Sequence, residues 1–284
     1  MRHLVKRNLL MFFRDKAGVF FSLLSVLIVI GLYLLFLGDV MKSNFGGVKG
    51  AGTLIDSWLM AGVIAIAPIT TGISALSNMV EDRKLKIDKD FFASPIKRSS
   101  LAGSYILSCF VISLLLTMIT LIFAQLYIVI NGGDFLTWSA LAKVLAIIIL
   151  YDFLSVFMLY YFVSFFKSSN AFSAAATIIG TLIGFLTGIY IPIGSLPEAV
   201  QWLVKIFPPS HAAMMLRDTM MGPSEQLVFD GAPAAAMEEF RLLMGSVFEI
   251  GGFTVQWWHS ILYLLIIGLM FFVLTLWKMS KKKG

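Results

Sequence analysis

Ten charged residues crowd the stretch 80–100, VEDRKLKIDKDFFASPIKRSS, between two long apolar runs. Glu81, Asp82 and Arg83 open it. If the chain does work driven by another protein, this stretch is where the force enters. Two neighbouring phenylalanines, Phe91 and Phe92, bring a solvated loop no benefit. With Pro95 and Ile96 they could seat a short helix against a partner groove. The same aromatics could instead hold the loop on its own bundle. A second candidate is Asp152, an acid deep within an apolar run. At mid-bilayer it costs about 2.5–3.5 kcal/mol on insertion scales, so something must offset it. It is either a polar point in a transport cavity or proton-coupled path, or one end of an interhelical hydrogen bond.

Other chemistry finds no support. The three histidines, His3, His211 and His259, are scattered, and a single cysteine, Cys109, allows neither an internal disulfide nor a thiolate metal site. No phosphate-cradling G-x-x-x-x-G-K-[ST] loop occurs, nor G-x-S-x-G, nor H-E-x-x-H. The chain therefore binds no cofactor by any of these motifs, and an intramembrane enzyme lacks its paired catalytic groups. The net charge of +6 sits at the ends of apolar runs. That distribution suits membrane lipids, not nucleic acid.

The elements that must position these residues are membrane spans. Of 284 residues, 59% are hydrophobic and 13% charged, about half the charge of an ordinary soluble domain. Six continuous apolar stretches follow, at 19–37, 58–76, 101–130, 140–166, 171–191 and 257–277. A helix crosses the hydrocarbon with about 20 residues, whereas β-barrel strands would be short and alternating. The reading is an all-α integral membrane protein with six transmembrane helices, the second interrupted at Pro68. Residues 1–16 alternate apolar and basic side chains, as an amphipathic helix in the inner interface would. A signal peptide fits less well, because the following apolar run is too long and residues 37–39 form no small-residue cleavage site.

With the N-terminus inside, 16 Lys and Arg fall on inner segments and 6 on outer ones, the bias that sets orientation. Both termini are then cytoplasmic, and 78–100 is a cytoplasmic loop between the second and third spans. Trp58, Trp138, Trp257 and Trp258 fall at outer boundaries and Trp277 at an inner one. The outer segment 192–256 predicts short re-entrant or lid helices. Ser195 caps the first (199–207), Pro208 and Pro209 break it, 211–221 form the second, and 233–250 the third. In the fifth span Gly180, Gly184 and Gly188 share a face, permitting close approach. Phe185, Ile189 and their apolar neighbours at its outer end could plug a cavity.

Taken in order, three stretches make the chain resemble the permease subunit of an ABC exporter of the type-2 class, related to the G-subfamily pumps. They are Arg7-Asn8-Leu9-Leu10 to Phe13-Arg14-Asp15; Glu81-Asp82-Arg83 to Ser94-Pro95-Ile96-Lys97-Arg98; and Tyr190-Ile191-Pro192 through Leu196-Pro197, Gln201, Pro208 and His211 to Leu216-Arg217-Asp218. The family's Gly-Thr after the glutamate is missing here, where Lys86 and Ile87 stand. The resemblance implies a single transmembrane domain over 1–284, a coupling helix in 78–100, and a bacterial cytoplasmic membrane location. It implies two partners: a separate nucleotide-binding subunit in two copies, which binds ATP and Mg, and a second permease copy, identical or paralogous. It assigns Glu81, Asp82, Arg83, Phe91, Phe92 and Pro95 to coupling with the ATPase. It assigns Thr70, Thr71, Ser74, Thr177, Thr181, Phe185 and Ile189 to the cavity and its gate. Those apolar segments with few hydroxyls suit a hydrophobic or amphipathic cargo, such as a drug, peptide antibiotic or lipid-like molecule. A polysaccharide or teichoic-acid exporter is the alternative within the class. An ion-coupled carrier would want inverted repeats and more intramembrane acids.

Overall fold

The computed structural model describes residues 1–33, 35, 48–87, 90–91 and 96–281. Phe92 and Pro95 lie outside them, as do residues 39–47 of the expected outer loop before the second span and the terminal lysines Lys282 and Lys283.

Ten helices account for nearly all of the described chain. Helix α1 (Arg2–Arg14) meets α2 (Lys16–Leu32) at a bend of 76°. The corner is made by Asp15, whose carboxylate accepts from the Gly18 amide at 2.9 Å and so caps α2. The first apolar helix thus begins three residues before the expected start at 19. Helix α3 (Ala51–Lys84) follows, then α4 (Arg98–Ile130), α5 (Trp138–Val163) and α6 (Ser169–Leu186). After α6 come a 3-10 turn (Ile193–Ser195), α7 (Glu198–Ile206), α8 (Pro208–Val228) and α9 (Ala234–Met244). A two-stranded antiparallel hairpin, β1 (Phe248–Ile250) and β2 (Phe253–Val255), leads into α10 (Trp257–Lys281). Five helices (α3, α4, α5, α6 and α10) are long and apolar enough to cross a membrane, and the bent pair α1–α2 brings the number up to six.

Helix α3 is the axis of the bundle. It runs unbroken through Pro68, where the sequence predicts an interruption. Proline removes one backbone donor and crowds the preceding turn. Thr71 Oγ1 bonds the Ala67 carbonyl at 2.6 Å, and Thr70 Oγ1 reaches the Ile66 and Ala67 carbonyls beside it. Neighbouring helices enclose α3 over nearly its whole apolar length. In lipid no hydrophobic force drives that association, so close van der Waals approach and polar contacts must. Small residues supply the approach. A side chain on Gly62 would strike Ile189 and Arg217, and one on Gly72 would strike Leu159.

Trp58 shows what this enclosure does to a sequence expectation. It is fully buried, not interfacial, and its indole N–H donates to the Met244 carbonyl at 2.7 Å. Trp138, Trp257, Trp258 and Trp277 are exposed, as boundary residues should be. Segment 192–256 also departs from the reading. Pro197, not Ser195, stands at the N-cap of α7. Pro208 and Pro209 occupy the first turn of α8, where a missing N–H costs nothing, and α8 continues past Gly222-Pro223 to Val228. One buried helix packed on α3 replaces the short broken one. The acidic helix ends at Gly245 in a left-handed conformation, and the rest of 233–250 enters the hairpin.

Candidate functional site

Consecutive residues on a helix point about 100° apart. At the end of α3 that places Glu81, Asp82 and Arg83 in three directions, and each reaches a different neighbour. They sit in the last turn of a span, not in the loop expected at 78–100. Asp82 turns inward and is buried. Arg7 of α1 grips it with both terminal nitrogens, Nη1 to Oδ2 at 2.7 Å and Nη2 to Oδ1 at 2.6 Å. The Tyr105 hydroxyl of α4 donates to the same Oδ2 at 2.5 Å. The carboxylate beside it raises the Arg7 pKa above the ordinary value. Arg7 also stacks over Phe91, 5.4 Å from the ring centroid.

Arg83 turns toward α5. Its Nη1 donates to the carbonyls of Ser164 and Phe166, both at 3.1 Å. Those carbonyls lie just past the end of α5, so a guanidinium neutralises the negative end of that helix. Glu81 turns toward α6 and accepts from Ser169 Oγ at 2.9 Å, with Lys84 at 3.1 Å on its solvent side. Three successive side chains therefore tie α3 to α1, α4, α5 and α6. Asp82 offers no surface to a partner; the groups that face outward past it are Lys84, Leu85 and Lys86. Lys86 has φ +62, which turns the chain sharply out of α3.

The expected cavity residues divide. Thr70 and Ser74 lie a turn apart on α3 and are partly exposed, whereas Thr71 is fully buried and faces no cavity. On α6, Thr177, Thr181 and Phe185 form one exposed ridge at intervals of four residues. Thr177 and Thr181 donate to the carbonyls of Ser173 and Thr177 one turn back, at 3.0 and 2.9 Å. Ile189 is not on this helix. Helix α6 ends at Leu186, the chain reverses at Gly188 (φ +66), and Ile189 packs inward against Gly62. Gly188 likewise leaves the expected glycine face, and Gly184 is covered by the Tyr190 ring. The plug is reduced to Phe185, which is exposed and meets Tyr190 at 5.0 Å between centroids.

Asp152 is fully buried, and its Oδ1 lies 2.7 Å from Ser113 Oγ of α4. That is the interhelical bond of the two readings above. Cys109, the single thiol, is also buried and lies 3.5 Å from the Gly72 carbonyl.

Several structural anchors lie outside the residues expected at the site. Arg217 is fully buried, donates to the Gly188 carbonyl at 2.8 Å and lies over the Trp58 ring at 4.8 Å. Burial pushes its guanidinium down to about 9, so it remains charged at pH 7. It holds the turn after α6 against α3. Arg241 of α9 clasps Glu225 of α8, Nη2 to Oε2 at 2.6 Å. Arg7 and Tyr105 were missed for the same reason: their partner lies 75 and 23 residues away. The alternation of basic and apolar residues in 1–16, and the resemblance carried by Arg7 to Asp15, mark the helix of Arg7 but not its partner.

The family model for ABC-2 family transporter protein matches residues 43–277, which include α3 to α9, the hairpin and most of α10. No curated protein matches the chain.

Proposed function

The chain belongs to the ABC-2 family of transporter proteins, and from that premise we propose that it is the moving half of an ATP-driven exporter. A permease of this family is a multi-pass membrane component, not itself catalytic, that works with an ABC ATPase. In the proposed assembly two copies of the chain, or this chain and a paralogue, pair with two nucleotide-binding subunits. ATP and Mg bind to those subunits. Closure of the motor pushes on the end of α3 and on α1 from the cytoplasmic side of a bacterial plasma membrane, where both termini lie. The cavity between the permeases then opens outward and releases a hydrophobic or amphipathic compound.

The observation that carries this reading is the junction at Glu81, Asp82 and Arg83. A push on a free loop would be lost in bending. Here one helical turn is tied to α1, α4, α5 and α6 by charged hydrogen bonds, which are about twice as strong as neutral ones. Displacement of that turn moves four helices together. The exposed face of α6 sets the hydroxyls of Thr177 and Thr181 among Ile178, Leu182 and Phe185, a mixed surface that supports an amphipathic cargo.

The test is to copurify the chain with an ABC ATPase subunit, reconstitute both in lipid, and follow vanadate-sensitive hydrolysis and efflux of a hydrophobic dye. Recruitment and ATP-dependent efflux are expected. In the double variant Asp82→Ala with Arg83→Ala, efflux should be lost while ATP binding by the partner is retained. Failure to recruit any nucleotide-binding subunit overturns the proposal, and unchanged efflux in the double variant overturns the coupling role.

A further inference from the structure

At the end of the bundle that carries Trp138 and Trp257, helices α5, α8 and α10 leave a groove with a volume of about 320 Å3. That is at the lower end of the roughly 300–1,000 Å3 usual for small-molecule sites. Its polarity is graded. Lys143, Ile147 and Leu150 follow one another at helical spacing down α5, with the ammonium at the head and the apolar side chains beneath it. Ile261 of α10 and Met215 of α8 complete the apolar part. Asp218 faces Lys143 across the head of the groove, and Trp257 stands beside them.

The charges at the head are only partly matched. The nearest cation to Asp218 is Arg241, with Nη1 at 4.0 Å, and Arg241 is already engaged by Glu225 at 2.6 and 2.8 Å. The Asp218 side chain keeps 43% of its surface exposed. Burial of the remainder raises its pKa, an effect that Arg241 and Lys143 oppose. Thr219 donates its hydroxyl proton to the Met215 carbonyl at 2.9 Å, which leaves its oxygen free to accept. A cation and an anion thus stand side by side above an apolar slot, at a height marked by exposed tryptophans.

We propose that this groove is a resident binding site for a zwitterionic phospholipid of the ethanolamine class. The lipid phosphate pairs with Lys143, its ammonium with Asp218 and the Thr219 oxygen, and an acyl chain lies along Ile147, Leu150 and Ile261. The pairing also selects. A lipid with a phosphate but no ammonium leaves Asp218 against like charge, and a choline headgroup has no N–H to donate. The assignment does not depend on the direction or cargo of transport.

The experiment is native mass spectrometry of the delipidated full chain, titrated with phosphatidylethanolamine, phosphatidylglycerol or phosphatidylcholine. The wild-type chain should retain one phosphatidylethanolamine about fivefold better than either other lipid, the ratio given by one partly exposed charge pair. Asp218→Asn should erase the preference over phosphatidylglycerol. Ala146→Trp fills the groove from its exposed side and should lower retention of all three lipids, with an unchanged unfolding temperature showing that the bundle is intact. Equal retention of the three lipids by the wild-type chain overturns the proposal. So does a preference over phosphatidylglycerol that survives Asp218→Asn, or retention untouched by Ala146→Trp.

Discussion

Arg7 and Asp82 share two hydrogen bonds but not one environment: the arginine side chain is 29% exposed and the aspartate 2%. Their removal is therefore unequal. Arg7→Ala strands a buried carboxylate with Tyr105 as its remaining partner, which costs about 3–5 kcal/mol. Asp82→Ala leaves a guanidinium that can turn to water, at about 1.5–3 kcal/mol. Thermal unfolding in detergent should rank Arg7→Ala below Asp82→Ala, and the reverse order would refute the account of the clasp. His211 gives a pH dependence. Its Nδ1 meets Ser260 Oγ at 2.9 Å and its Nε2 the Lys205 carbonyl at 2.8 Å, so Nε2 donates. Burial lowers its pKa below the ordinary value. As pH falls through about 6.5 the unfolded chain takes up the proton first, so stability drops until the folded value is passed. His211→Gln should abolish that slope, so the stability advantage of wild type over variant should shrink as pH falls through about 6.5.

Among the elements, the turn that ends α6 is the least tolerant of change. Gly188 has φ +66, and a methyl group there would approach Ile193 to 2.5 Å. Its carbonyl is the one that Arg217 holds. Gly188→Ala therefore combines backbone strain with a clash at the anchored turn, and a loss of about 1–3 kcal/mol is expected. Gly180→Ala, within α6 itself and with open space around it, should be neutral or slightly stabilising in the same unfolding assay. Equal effects at the two glycines would contradict the placement of the turn. The contrast separates two residues that the four-residue spacing had put on one face.

For the whole molecule, orientation can be read with the protein's own chemistry. The single cysteine, Cys109, is buried and should stay silent to a membrane-impermeant maleimide. Lys86→Cys and Asn131→Cys then report alone from exposed positions at opposite ends of α3 and α4. In intact cells Asn131→Cys should label directly and Lys86→Cys only after permeabilisation. The opposite pattern would invert the proposed topology and move the α3 junction away from any cytoplasmic motor.

By itself the sequence determined the class. Low charge and membrane-length apolar runs leave only a helical bundle in lipid, because every backbone polar group must be satisfied within its own segment. The amphipathic start, the exposed tryptophans and the ABC-2 likeness were legible for the same reason: each is a local pattern. The tertiary structure decided which polar groups meet. Local spacing shows Glu81, Asp82 and Arg83 as a charged loop open to a partner, and Trp58 as an interface anchor. Only the packing of α1, α4, α5 and α6 around α3 buries Asp82 and ties Glu81 and Arg83 to neighbouring helices, and only α8, running on past two proline sites, buries Trp58 beneath Arg217. Those contacts join residues far apart in the chain, and no period of 3.6 residues encodes them.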